Sequence, residues 1–154
     1  MKKMLLVCLL MLCGGAALPA AAAEPQPEVL GIRLGMSREE AHARLSKMGR
    51  LEKEERKQQE IWSLAGDERF SHLIVGFEKE SLRVRYVTAK ARAAGKPVRY
   101  AEVFDLKGAR QTVAPPRYEY TREVAASGAQ PRYAVLLLGS NPETLTYYSI
   151  KKLD

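Results

Sequence analysis

The sequence predicts an α+β fold: a short N-terminal helix, or helix pair, packed on an antiparallel β-meander, with room for a second β-rich half. Three observations predict it. Residues 31–49, GIRLGMSREEAHARLSKMG, join a turn, a cap and an apolar stripe of helical period. Residues 61–89 hold three strand-like runs divided by polar turns. Residues 98–150 return to short alternating runs without a second helix as plain as the first.

The chain begins with a targeting pattern. Lys2 and Lys3 precede an apolar run over 4–13, and small residues follow to Ala23. That is the layout of a signal peptide over 1–23, with Ala21, Ala22 and Ala23 before the cut. The apolar core is shorter than the roughly 20 residues a spanning helix needs. Neither Cys8 nor Cys13 has a small residue before it, so a lipid anchor is not the expectation. A periplasmic or secreted protein is expected. Both cysteines fall within the leader, which leaves the remaining chain with no disulfide partner and no thiolate chemistry. The leader also takes two lysines and no acid, so +5 of the formal +7 charge stays behind. In an exported protein that balance points to acidic protein patches or anionic envelope surfaces, and nucleic acid is not expected.

Residues 24–30 carry two prolines and read as a linker; 31–154 read as one domain, with a sub-division admitted near 95–116. Gly35 supplies a turn and Ser37 an N-cap, with Glu40 three residues on to complete a capping box. Ala41, Leu45 and Met48 form the buried stripe, and Gly49 stands where a left-handed stop residue belongs. Residues 50–60 are dense in charge of both signs and read as a solvated helix or an exposed strand. Residues 61–64, 70–77 and 82–89 read as a three-stranded meander whose apolar face the 37–48 helix covers. In the third run strict alternation sets Leu82, Val84, Tyr86 and Thr88 against Arg83, Arg85, Val87 and Ala89.

Beyond a loop at 91–97, residues 98–106 read as a fourth strand or the start of a second unit. Residues 108–116 are weakly helical up to Pro115 and Pro116. Residues 118–124 alternate, 133–138 read as a buried central strand, and 145–150 as the last strand.

The pattern Gly31-Ile32-x-Leu34-Gly35-Met36-Ser37-x-x-Glu40-Ala41, entering a short helix before a β-meander, resembles small bacterial envelope proteins. These are the small outer-membrane lipoproteins that assist barrel-protein assembly and the β-lactamase-inhibitory proteins. The likeness covers about 31–89. It implies an α+β fold with helices on one sheet face and a non-enzymatic binding or scaffolding role. It carries over no contact residues.

The residues themselves show no catalytic pattern. Ser37 is explained by its cap, and no G-x-S-x-G surrounds it. His42 and His72 lack a ligand spacing and show no carboxylate–histidine pattern, so no metal or cofactor is expected. Trp62, Phe70 and Phe77 read as core. The candidate partner-binding residues are arginines and tyrosines, the usual anchors of interfaces: Arg83, Arg85 and Tyr86 in the basic stretch, and Tyr118, Tyr120 and Arg122, with Arg117 and Tyr133 near them. The bland reading of that basic stretch is a solvated face whose arginines pair with the acids of 50–60. The expected function is an exported, non-enzymatic protein-interaction module that holds an envelope protein on an open sheet face. The alternative is a soluble binder of anionic envelope glycan or lipid headgroups, and a hydrolase without a motif stands third.

Overall fold

The computed structural model describes residues 27–56 and 58–154; the leader, its two cysteines, residues 24–26 of the linker and Lys57 lie outside the described residues. A tight hairpin comes first, β1 (Glu28–Val29) and β2 (Ile32–Arg33). Helix α1 (Arg38–Met48) follows, then a four-stranded meander: β3 (Gly49–Glu55), β4 (Gln59–Leu64), β5 (Phe70–Phe77) and β6 (Val84–Ala91). A single helical turn, α2 (Tyr100–Val103), precedes a second meander: β7 (Arg110–Ala114), β8 (Arg117–Val124), β9 (Tyr133–Gly139) and β10 (Tyr147–Lys152).

The two meanders are one sheet. Their last strands pair antiparallel, β10 against β6, giving the order β3-β4-β5-β6-β10-β9-β8-β7. The α+β expectation is therefore corrected. Among the described residues strand accounts for 51% and helix for 12%, in one large antiparallel sheet with one short helix longer than a single turn. The helix pair fails because 50–55 pairs with β4 and is strand. The weak helix at 108–116 fails too: β7 is strand, turned into β8 through Pro115–Pro116, whose peptide bond is cis. The fourth strand expected at 98–106 is a loop and α2, whose one isolated bridge, Arg99 to Thr144, is with the β9–β10 loop. The expected three-stranded meander exists with β3 added at its outer edge.

The helix start keeps the Ser37 cap but not the second half of the expected capping box. Ser37 Oγ accepts the Glu40 N–H at 3.2 Å, while the Glu40 carboxylate reaches Arg33 and Arg44. Ala41 and Leu45 are fully buried. The stop differs. Gly49 is extended, with φ −169°, and opens β3 at once. Glycine is required there for a different reason: a Cβ would lie 1.9 Å from the Ser63 carbonyl oxygen.

One sheet face holds the core. α1 lies over the first meander, and the β1–β2 hairpin, with Val29 and Ile32 buried, packs over β6 and β10. Val98, Tyr100 and Leu145 continue the layer over the second meander. Beneath them the strands present Trp62, Leu73, Val75, Val87, Ala89, Ile150, Tyr148, Val135 and Leu137. Strand β9 is interior to the sheet but buried on this face alone, since Ala134, Leu136 and Leu138 are half-buried. That corrects the reading of a strand buried on both sides.

Candidate functional site

Cross-strand partners share a face, so register assigns every side chain. The face opposite the core carries a row through the middle of the sheet: Ile61, Ile74, Thr88, Ser149, Leu136 and Thr121, each opposite the next. All six are half-buried. Leu138 and Tyr147 stand beside the row, and Thr88 and Ser149 hydrogen-bond across the β6–β10 join at 2.8 Å. Charged residues border it: Arg50, Lys53 and Glu55 on β3, Lys90 and Lys151 in the centre, and Arg110, Arg117 and Glu119 toward the β7 edge. Ile61 and Ile74 on one side and Leu136 and Leu138 on the other flank a hydroxyl stripe at the β6–β10 join, and such a mixture of apolar patches with bordering charge suits a protein-docking surface.

The six residues picked from sequence do not form one surface. Tyr86 is on the open face, opposite Gly76, with its hydroxyl donating to Gln59 Oε1. Tyr118 and Tyr120 are on the core face: Tyr120 stands opposite Leu137 and its ring is 4.8 Å from that of Tyr100. Arg122 is opposite Val135, with its guanidinium over Phe104. Tyr133, expected near them on an exposed face, is buried. The cause is parity. The sequence shows that 118–124 alternates but not which set points inward, and tyrosines cover the thin second half of the core.

Arg83 lies before β6 and donates to the Gly35 carbonyl at 2.8 Å, which fixes the entry to α1. Arg85 does not share a strand face with Val87 as strict alternation requires. The register slips between Gly76 and Phe77, so Tyr86 opposes Gly76, Val84 opposes Phe77, and Arg85 is the bulged residue. Its Nη2 donates to Asp154 Oδ2 at 2.7 Å. The acids of 50–60 pair elsewhere: Glu54 and Glu60 with Arg38, Glu52 with His72, Glu55 with Lys53.

Both histidines thus meet carboxylates, contrary to the sequence reading. His42 forms the tighter pair. Glu60, fully buried on the core face of β4, lies 2.7 Å through each oxygen from His42 Nε2. Arg38 donates to its Oε1 from Nε (3.0 Å) and Nη2 (2.7 Å), and Trp62 Nε1 donates to its Oε2 at 3.0 Å. Burial pushes the Glu60 pKa up, but hydrogen bonds from His42, Trp62 and Arg38 outweigh burial and hold it below its ordinary value. Both carboxylate oxygens are taken by side chains of α1 and β4. The cluster fastens α1 to the sheet. The signal that could have found it is the pair Arg38 and His42, one helical turn apart and facing the strand that carries Glu60.

Among the described residues no cluster of three or more His, Cys, Asp or Glu is arranged to hold a metal ion, and no helix is long and apolar enough to cross a membrane. The largest cavity described, about 640 Å³, lies at one end of the open face between the β3–β4 turn and the β6 bulge. Comparison with family models, curated proteins and solved structures finds no match.

Proposed function

We propose that this chain is an exported, non-enzymatic interaction module of the bacterial cell envelope, docking an envelope protein on its open sheet face. The observation that carries the reading is the row Ile61, Ile74, Leu136 and Leu138, half-buried on the face opposite the core and bordered by charge. Its extent suits a partner. Eight strands about 4.8 Å apart, each roughly 20 Å long, span on the order of 700 Å², close to the ~800 Å² each partner gives to a standard interface. The leader pattern supports export, and the hydroxyl stripe of Thr88 and Ser149 supplies polar contacts at the centre.

The test compares two variants in capture from envelope extract. Ile74→Lys with Leu136→Lys charges the open face; Tyr118→Phe with Arg122→Gln alters the core face. The first is expected to lose the partners that the native chain retains, with its circular dichroism unchanged, and the second to keep them. An identical partner list from the first variant overturns the open face as the docking surface. The alternative reading, a binder of anionic glycan or lipid headgroups, is favoured by one feature alone, the basic cavity.

A further inference from the structure

We propose that the cavity at the β3–β4 end of the open face is a binding site for an acidic sugar of the hexuronate type, with Arg85 as its carboxylate anchor. This goes beyond protein docking and does not depend on it. The volume, about 640 Å³, is within the usual range of small-molecule sites. Among the described lining residues Lys53, Arg56 and Arg85 stand against one carboxylate, Glu55. Glu55 is itself engaged, by Lys53 and by Gln59 Nε2 at 3.0 Å. With Asp154 also paired to Arg85, three cations face two carboxylates, and the remaining positive charge favours an anion.

Arg85 shows which anion. Nε and Nη2 of a guanidinium form a fork that takes the two oxygens of a carboxylate side-on. Here Nη2 holds Asp154 Oδ2, whereas Nε is shut away from solvent with no hydrogen-bond partner. A buried donor left unpaired is costly, by about 1–3 kcal/mol. Asp154 thus fills one arm of the fork, from an exposed side chain. A ligand carboxylate that displaces Asp154 takes Nη2 first, and Nε joins the fork as the half-exposed guanidinium turns to meet the second oxygen.

The rest of the wall suits a sugar ring. Tyr86 lies across Gly76 so closely that a Cβ at Gly76 would be 1.9 Å from the ring. Its hydroxyl is pinned by Gln59, so the ring is a fixed platform for stacking. The Gln58 side chain supplies an amide for hydroxyl groups, while the Gln59 amide, engaged by Tyr86 and Glu55, holds the wall in place. The chemistry offered is therefore a carboxylate fork, an aromatic plate and an amide within one cavity.

The experiment titrates the full chain at low salt with glucuronic acid, with glucose and with acetate, followed by calorimetry. Glucuronic acid is expected to bind with a dissociation constant in the millimolar range or below, at least ten-fold more tightly than either other probe. Arg85→Gln is expected to weaken it ten-fold or more. Asp154→Asn removes the competing carboxylate from an exposed position and is expected to strengthen binding two-fold or more. Glucose binding as well as glucuronic acid overturns the fork, and acetate binding as well overturns the sugar platform. No binding of glucuronic acid by the native chain and by Asp154→Asn overturns the site. Unchanged or weaker binding after Asp154→Asn, with the melting temperature preserved, overturns the displacement of Asp154.

Discussion

Glu60 has no exposed surface and is ringed by Arg38, His42 and Trp62, so this residue couples the helix to the sheet. Its folded pKa lies below the 4.5 of an ordinary glutamate. A lowered carboxylate stabilises the fold in full above its unfolded pKa and loses that contribution as pH falls through the folded value. Stability is therefore expected to decline as pH drops below about 4.5. Glu60→Gln removes its share of the slope and leaves that of Glu78, whose pKa is lowered by hydrogen bonds from Lys152 and Ser81. Urea unfolding across this range measures both. At neutral pH, Glu60→Ala strands the Arg38 guanidinium and the Trp62 N–H and is expected to cost about 3–5 kcal/mol. Residue roles were legible where a local rule decides them, as with the Ser37 cap and the buried Trp62, Phe70 and Phe77. They were illegible where one bulged residue reverses a face, as at Arg85, or where tyrosines are core, as at Tyr120.

At the scale of elements, β3 shows how tertiary pairing overrides composition. Its glutamates, lysine and arginine favour helix, yet it pairs along β4 as the outer edge of the sheet. On an edge the same charges discourage a further strand, and a bulge between Leu51 and Lys53 disrupts the ladder. At the opposite edge β7 is fully exposed and its Val113 is half in solvent. α2 escapes a sequence reading because a single turn is too short for a helical period to show. The join between α1 and β3 is tight, with backbone as the neighbour. Gly49→Ala places a Cβ against the Ser63 backbone and is expected to destabilise by about 1–3 kcal/mol, read from the unfolding midpoint.

Over the whole molecule, the two units share a plan: a helical segment, then four meandering strands, with the last strand of each meeting at the centre. Hairpins were legible because alternation and turns are local, and β5–β6 is the plainest case. The β6–β10 join was not, because nothing in either strand names a partner so distant in the chain. Protection from hydrogen exchange is expected to peak in β5, β6, β10 and β9 and to be least in β7, since opening free energy rises with burial and pairing on both sides. Mass spectrometry of exchanged peptides tests the order, and early exchange of β10 would contradict it.

The central join also sets a timetable. β6 forms its hairpin with β5 from neighbouring residues, but its other side is closed by β10, which arrives only after α2, β7, β8 and β9. In a chain produced from its amino end, the first meander therefore waits with Val87 and Ala89 at an unfinished border. Slow delivery of the second meander prolongs that wait, and a truncation before Tyr147 makes it permanent, leaving an apolar strand ready to pair with another copy.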